Sequence, residues 1–177
     1  MSHKIKVIET GVDSQGVSKI THERVEHDIQ PMETIPSFRI NNTYYVEDLP
    51  IDYGQTHLNK PYDINLPPKS LRFLRCSIPP YQTVIRELND PKIQTLDAYK
   101  DAFMHRTDSV DYFYIVSGKV TMLLDNGDKC DLQQGDFFAM RGAMHVWINE
   151  GPDNCDLVGV MLGAAAREDT KGFAQEL

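Results

Sequence analysis

The sequence predicts an all-β domain built as an antiparallel sandwich or barrel. After residue 104, short apolar runs recur roughly every 8–12 residues, with turn residues between them. Asn126-Gly127, between two of these runs, is the strongest short-range signal of a β-hairpin. The chain has 177 residues, 41% of them hydrophobic and 25% charged, which is typical of one globular domain.

The first 70 residues are predicted to be an extension of short strands and irregular chain. Alternating or β-branched and aromatic runs predict strands at residues 4–8, 38–40 and 43–46. Four prolines between residues 47 and 70 indicate an irregular segment that wraps a core.

Residues 71–163 are predicted to form the barrel itself. Leu71–Ile78 alternates and stops at Pro79-Pro80, because proline cannot donate to a strand ladder. Helical spacing of apolar residues predicts a short helix over 93–103, opened by Asp90-Pro91. Further strands are predicted at residues 111–116, 119–124, 130–132, 137–140, 146–148 and 157–162. Residues 164–177 are charged and are expected to form a short helix or a tail.

Charge and missing motifs exclude several classes of function. Eighteen Lys and Arg against 26 Asp and Glu give a net charge of −8, which disfavours binding to nucleic acid. No apolar stretch is long enough for a membrane helix, and the N-terminus lacks the apolar core of a signal peptide, so we expect a cytoplasmic protein. The absence of a phosphate loop, a dinucleotide fingerprint and a Gly-x-Ser-x-Gly elbow disfavours phosphoryl transfer and serine hydrolysis.

The cysteines do not indicate a disulfide framework or a thiolate zinc site. Cys76, Cys130 and Cys155 are too few and too scattered for either. We expect all three to be reduced thiols that are buried or half-buried.

Two segments, residues 104–118 and 135–149, carry the side chains best suited to chemistry. Inside a barrel, Asp111 could meet His105 from a neighbouring strand, and His145 stands on a later strand. Two imidazoles and one carboxylate are the ligands of an open metal site that leaves positions for substrate and oxygen. Alternatively, His105 and Asp111 are hydrogen-bonded polar groups of the core.

Other side chains have both a functional and a structural interpretation. Tyr114, Trp147 and Met140 could line a pocket, although aromatic and methionine side chains in a barrel are commonly core. Arg106 and Arg141 could bind a substrate carboxylate, or pair with acidic groups on the barrel exterior. We expect exposed side chains at three further positions, namely His22, His27 and His57.

The first of these segments resembles the first motif of the cupin superfamily. That motif has two His separated by one residue, then a Glu, then a Gly. His105 takes the first His position, Asp111 the Glu position and Gly118 the Gly position, while Thr107 stands at the second His position. Thr107 supplies only a weak neutral oxygen, and Asp111 is one methylene shorter than Glu.

The second segment resembles the second cupin motif. It begins at Gly135-Asp136, its His falls at His145, and Asn149 follows. Arg141-Gly142 stands where cupins commonly have Pro and Gly. The resemblance covers about residues 71–163 and implies a double-stranded β-helix, the jelly-roll or cupin barrel, with an N-terminal strand extension and short helices.

The resemblance implies a divalent metal ion, Fe, Zn, Ni or Mn, held by His105, Asp111 and His145, with Thr107 beside it. We therefore expect a metal-dependent enzyme acting on a small organic substrate, either a non-haem Fe(II) dioxygenase or a lyase, isomerase or decarboxylase. The alternative is a non-catalytic, small-molecule-binding cupin with a degraded metal site. Cupins commonly form homodimers through such extensions, so residues 1–70 are expected to pack on the barrel or on a partner subunit.

Overall fold

Ten strands and two helices make up the part of the chain that the computed structural model describes, residues 5–26, 31–52, 62–64 and 66–165. The predicted all-β fold is confirmed. The elements in chain order are β1 (Ile5–Val12), β2 (Ser18–Glu26), β3 (Arg39–Val46), β4 (Leu71–Ile78), α1 (Tyr81–Leu88), α2 (Leu96–Phe103), β5 (Ser109–Ser117), β6 (Lys119–Leu124), β7 (Lys129–Gln133), β8 (Phe137–Arg141), β9 (His145–Ile148) and β10 (Cys155–Gly163).

Two antiparallel sheets face each other and form a double-stranded β-helix. The larger has the order β3-β4-β10-β5-β8, and the smaller has the order β7-β6-β9. Strands that are distant in sequence are therefore neighbours, as when β10 pairs with both β4 and β5. The interior between the sheets is an apolar core that includes Leu74, Ile115 and Leu157 from the larger sheet and Val120 from the smaller one.

The predicted hairpin turn at Asn126-Gly127 is confirmed. It connects β6 to β7, and Gly127 has a φ of +90°, a conformation that glycine adopts without steric cost. The Leu124 amide donates to the Asp128 carbonyl at 2.9 Å and closes the loop.

Two short helices cover the outer face of the smaller sheet. Tyr99 of α2 packs with Val146 and Ile148 of β9, and its hydroxyl donates to the Trp147 carbonyl at 3.0 Å. The predicted helix is present as α2, which begins after Thr95, whose side chain accepts from the Ala98 amide at 3.2 Å. Helix α1 was not predicted, because Pro79-Pro80 indicated only the end of a strand. Each described helix has eight residues, too few to cross a membrane.

The first two strands form a separate hairpin outside both sheets. Arg24 of β2 pairs with Glu9 of β1 at 2.7 Å, and its guanidinium lies over the ring of Tyr44 in β3, at 5.0 Å from the ring centroid. The Tyr44 hydroxyl also donates to the Ile8 carbonyl at 3.3 Å. The hairpin is therefore tied to the edge of the larger sheet by polar contacts.

The cysteine prediction is confirmed at two positions and wrong at the third. Cys76 and Cys155 are buried free thiols, while Cys130 is exposed near the start of β7, an edge strand of the smaller sheet. His22 lies exposed on β2, as expected. The expectations for His27, His57 and the tail from residue 166 lie outside the described residues.

Candidate functional site

His105 and His145 lie side by side where the chain leaving α2 meets the start of β9. The two residues exchange main-chain hydrogen bonds, with His105 N to His145 O at 2.9 Å and His145 N to His105 O at 2.8 Å. Their ring centroids are 4.4 Å apart and the rings are tilted by 48°. Two imidazoles from segments 40 positions apart in sequence are thus held together by backbone pairing.

Both imidazoles are fixed in the same tautomer. The Nδ1 of His105 is 2.9 Å from the Phe103 carbonyl, and the Nδ1 of His145 is 2.9 Å from the Ala143 carbonyl. Because a carbonyl oxygen can only accept, each Nδ1 carries the hydrogen and donates it. In the neutral ring, each Nε2 then keeps its lone pair, as a metal ligand or a base requires.

Both rings are neutral at neutral pH. Burial, with a smaller contribution from the neighbouring His105, lowers the pKa of His145 to about 3, although its hydrogen bond to Ala143 acts in the opposite direction. Burial also lowers the pKa of His105, although its hydrogen bond to Phe103 acts in the opposite direction. Neutral imidazoles can bind a metal ion without first releasing a proton.

Asp111 is a buried carboxylate on the interior face of β5. Its side chain is 1% exposed, and no described residue donates to its Oδ1. Burial raises the pKa of Asp111 to about 6, while a hydrogen bond from Ser109 and the charge of Arg72 act to lower it. A buried carboxylate oxygen without a donor is costly, which is a sign that a cation or a donor of a ligand could stabilise it.

A buried arginine that the sequence analysis did not single out lies near Asp111. Arg72 of β4 is 1% exposed, and it pairs in register with Met161 of β10, which in turn pairs with Asp111. Its guanidinium lies over the Tyr62 ring, 4.9 Å from the centroid, and donates to the Asp63 carbonyl. The alternation within Leu71–Ile78 places residue 72 on the same face as residues 74 and 76, so this signal was available in the sequence.

The structure brings together only part of the predicted ligand set. Among the residues it describes, no three His, Cys, Asp or Glu side chains form a group that could hold a metal ion. His105 and His145 are adjacent. The neighbours that influence the pKa of Asp111 are instead Ser109 and Arg72. In donor type the two imidazoles suit a divalent metal, and Asp111 as third ligand remains a prediction.

The predicted pocket residues lie in different parts of the barrel. Met140 and Tyr114 are on the larger sheet, Trp147 is on the smaller sheet, and Thr107 precedes β5. Met140 is buried and pairs in register with Asp111. Trp147 is half-buried, and its ring lies at 77° to that of His145, with ring centroids 5.4 Å apart. Thr107 is buried, and its hydroxyl lies 2.7 Å from that of Ser109.

The expectation that Tyr114 lines the interior is corrected by the structure. Along β5, Asp111 and Phe113 face inward, so alternation turns Tyr114 outward. There its ring packs on exposed Phe137 at 4.7 Å between centroids. Arg141 at the end of β8 is exposed, on the side of that strand opposite to Met140.

Two surface clefts in the described part of the chain lie away from the imidazole pair. One is bordered by Gly118, Lys119 and Asn149 at the other ends of the strands. The second lies on the outer side of the larger sheet, where Arg39 and Arg75 contribute to it. None of the predicted site residues lines either cleft.

Comparison with known proteins supports the resemblance to cupins. No family model matches the chain. A cupin-domain-containing oxidoreductase of Neurospora crassa, srdD, is 26% identical over 146 residues, which cover 79% of this chain and 64% of the relative. Phomopsin biosynthesis cluster protein C' of Diaporthe leptostromiformis is 39% identical over 49 residues, or 28% of this chain and 26% of the relative. The chain thus spans between a quarter and two thirds of these curated relatives.

Solved structures of cupins are similar only at a distance. An RmlC-like cupin from Methanocaldococcus jannaschii aligns with a TM-score of 0.37 at 12% identity, over 52% of this chain and 70% of the other. The Cupin_2 domain of a transcriptional regulator from Enterobacter cloacae aligns with a TM-score of 0.39 at 10% identity, over 74% of this chain and 99% of the other. The resemblance inferred from the two motifs is confirmed by the names of the sequence relatives and by the double-stranded β-helix itself.

Proposed function

We propose that this cupin-type barrel is an enzyme that acts on a small organic substrate with a divalent metal ion held by His105 and His145. The observation that carries the proposal is the geometry of this pair. Both rings are neutral, and both Nδ1–H groups donate to carbonyls, so both Nε2 lone pairs remain available. The centroids of the two rings are 4.4 Å apart. Fe, Zn, Ni and Mn all accept imidazole ligands.

The described residues would contribute orientation, exclusion of water and a site for a proton. The two carbonyl anchors restrict rotation of both imidazoles, and the Trp147 ring packs against that of His145. Asp111 is the candidate third ligand or proton acceptor, because its Oδ1 is buried without a donor among the described residues. The metal, when bound, would supply Lewis-acid or redox chemistry at positions that protein ligands leave open.

Within this proposal, we favour oxidoreductase chemistry over lyase, isomerase or decarboxylase chemistry. Two relatives, from Neurospora crassa and Hypocrea virens, are named as cupin-domain-containing oxidoreductases. Fe(II) with dioxygen as the oxidant is therefore the first combination to test. The substrate is proposed to be a small organic molecule that binds between the two sheets, near the imidazole pair.

A second candidate function is non-catalytic binding of a small molecule. One observation favours it: the described residues contain no group of three metal ligands, and the hydroxyl of Thr107 is engaged with Ser109. In this case the buried polar groups at this end of the barrel would serve recognition, without a metal ion.

Metal content, measured by elemental mass spectrometry on untagged protein purified without chelators, separates the two candidates. We expect about one metal ion per chain in the wild type and loss of that ion in His145→Ala and His105→Ala. Asp111→Asn tests the third ligand in the same assay. His22→Ala is the matched control, because His22 is an exposed imidazole on the separate hairpin and should leave the metal content unchanged.

A wild-type protein that is empty and that also fails to bind added Fe(II), Mn(II), Ni(II) and Zn(II) would overturn the metal-dependent proposal. Retention of full metal content in folded His105→Ala and His145→Ala would overturn it as well. Circular dichroism of each variant shows whether a loss of metal reflects a lost ligand or a lost fold.

A further inference from the structure

The connection between β3 and β4 contributes side chains to the barrel interior. Tyr62 is half-buried, and its ring packs against the apolar core that lies between the two sheets. Four residues later, Leu66 is buried and belongs to that core itself. We call the described part of this connection, residues 62–64 and 66–70, the Tyr62 segment.

Arg72, at the start of β4, holds the Tyr62 segment at its first residues. Its guanidinium lies over the Tyr62 ring, 4.9 Å from the centroid, and donates to the Asp63 carbonyl. A planar guanidinium can make both contacts at once, because it stacks on an aromatic face while its N–H groups donate in the plane. The ring of one residue and the main chain of the next are therefore fixed by one side chain.

A second set of contacts fixes the other end of the segment to β10. The Lys69 amide donates to the Gly163 carbonyl at 3.0 Å, and the Gly163 amide donates to the Ser70 carbonyl at 2.8 Å. A Cβ at Gly163 would overlap the Pro67 carbonyl, so glycine permits this close approach. The segment is thus held at both ends.

Tyr62 lies near the buried carboxylate of the candidate site. Arg72 and Asp111 are separated by β10 alone, where both pair in register with Met161. Burial raises the pKa of Tyr62 to about 12, while the charge of Arg72 acts to lower it and that of Asp111 acts to raise it. The Tyr62 ring therefore belongs to the same buried surroundings as Asp111.

Aromatic rings also connect the core to the imidazole pair. Phe138 packs against Phe113 and Trp147, with centroids 5.3 and 5.2 Å apart, and Trp147 packs against His145 at 5.4 Å. Tyr62 and Trp147 pack against the same core cluster. Because Trp147 is the single tryptophan of the chain, its fluorescence reports on the interior beside the imidazole pair.

We infer that Tyr62 is a wall of the candidate site and that Arg72 is the positioning residue that holds this wall in place. The inference rests on the proposed function for its substrate and deepens it, because Tyr62 then limits the size of the molecules that reach the imidazole pair. Arg72 acts through the Tyr62 ring and needs no contact with the substrate.

The first test is quenching of Trp147 fluorescence by acrylamide, a small neutral solute, in the metal-free full chain. Tyr62→Ala should raise the quenching constant about two-fold or more, because the space left by the ring is only partly refilled. Tyr62→Phe should leave the constant unchanged, since it keeps the ring. Tyr114→Ala is the matched control, because it removes an aromatic ring from the outer face of the larger sheet.

A larger neutral quencher, succinimide, tests the size limit. In the wild type, succinimide should quench Trp147 less than acrylamide does. Tyr62→Ala should narrow this difference, because the wider opening admits both solutes. Thermal unfolding of each variant shows that the quenching was measured on folded protein.

Arg72→Lys tests the positioning role. Lysine keeps the positive charge but has no planar group to stack on Tyr62, so the quenching constant should rise toward that of Tyr62→Ala. In the Tyr62→Ala background the same substitution should add little, because the ring through which Arg72 acts is already absent. A purely structural role of Arg72 would add the same increase in both backgrounds.

Three results would overturn the inference. Equal quenching constants in the wild type and in Tyr62→Ala would remove Tyr62 from the site. A rise in Tyr114→Ala as large as that in Tyr62→Ala would attribute the effect to a loosened barrel, and equal increments from Arg72→Lys in both backgrounds would separate Arg72 from Tyr62. None of these measurements needs a metal ion or a substrate, so failure of the proposed function would appear separately, in the metal content.

Discussion

Arg72 and Asp111 occupy interior positions on two strands separated only by β10, where both pair in register with Met161. Each is 1% exposed, and the charge of Arg72 acts to lower the pKa of Asp111. A guanidinium and a carboxylate thus lie near each other on the interior face of the larger sheet. Buried charges of this kind depend on each other, because either one alone would be left without compensation.

Replacement of Arg72 by Met should destabilise the fold by about 3 kcal/mol, because it leaves the buried Asp111 carboxylate and the Asp63 carbonyl without the guanidinium. The double variant Arg72→Met/Asp111→Leu should recover a large part of this loss. Urea denaturation of the metal-free protein, arranged as a double-mutant cycle, measures both effects. Simple additivity of the two substitutions would show that the two charges are independent.

The free energy of unfolding should decrease at alkaline pH because the pKa values of two tyrosines are raised by burial. Burial raises the pKa of Tyr62 to about 12 and also raises that of Tyr99. Both phenols ionise less readily in the folded chain than in the unfolded chain. The stability that they contribute is therefore fully present below pH 10 and is lost as the pH rises through about 12.

Absorbance at the tyrosinate band and urea denaturation between pH 8 and about 12 check this prediction. Tyr99→Phe should cost about 1 kcal/mol at pH 8, because it removes the hydrogen bond to the Trp147 carbonyl. The cost should shrink as the pH rises, since phenylalanine has no proton to lose. A cost that is independent of pH would contradict the assigned direction of the Tyr99 shift.

Thiol reagents should distinguish the three cysteines. Cys130 is exposed, while Cys76 and Cys155 are buried and burial raises the pKa of both thiols. We expect one rapidly reacting thiol per native chain and three per unfolded chain in a colorimetric thiol assay. Cys130→Ser should abolish the rapid phase, and persistence of that phase would show that one of the buried thiols is accessible.

Gly159 should not tolerate a side chain. It lies on β10 between Leu74 and Phe113, and a Cβ at this position would overlap the Phe113 ring and the Tyr112 carbonyl. Gly159→Ala should therefore destabilise the protein by about 3 kcal/mol or prevent folding. Gly16→Ala is the control, because Gly16 has open space and only its φ of +80° opposes the change, at a cost of about 1 kcal/mol. Equal thermal stability of the two variants would contradict the overlap.

Local patterns in the sequence predicted the barrel strands well, because strands such as β5 and β10 alternate between a buried and a less buried face. Strand β2 was not predicted: apart from Arg24, the side chains of residues 18–25 are exposed, so the segment resembles a charged loop. Helix α1 was not predicted because its start follows two prolines that also end β4. In β2 the exposed side chains, and before α1 the two prolines, concealed the local pattern that would have indicated the element.

The candidate site was predicted in its residue types and only partly in its geometry. Motif spacing identified His105 and His145, which are adjacent in the structure. The neighbours of Asp111 depend on how β4, β10 and β5 pair, which is a property of the whole sheet. The alternation within Leu71–Ile78 placed Arg72 on the interior face, whereas its closeness to Asp111 depends on β10, which lies more than 80 residues from Arg72 along the chain.

The spacing of the two imidazoles is set by the main chain and not by their side chains. His105 and His145 exchange two main-chain hydrogen bonds, a pairing that holds Cα atoms about 5.5 Å apart. Any two side chains introduced at positions 105 and 145 would project from Cα atoms that are held at this same separation. Two cysteines there would fall within the range of Cα separations that a disulfide spans, about 4.4–6.8 Å. The backbone at these two positions could therefore hold another pair of metal ligands, or a disulfide that joins the segment after α2 to β9.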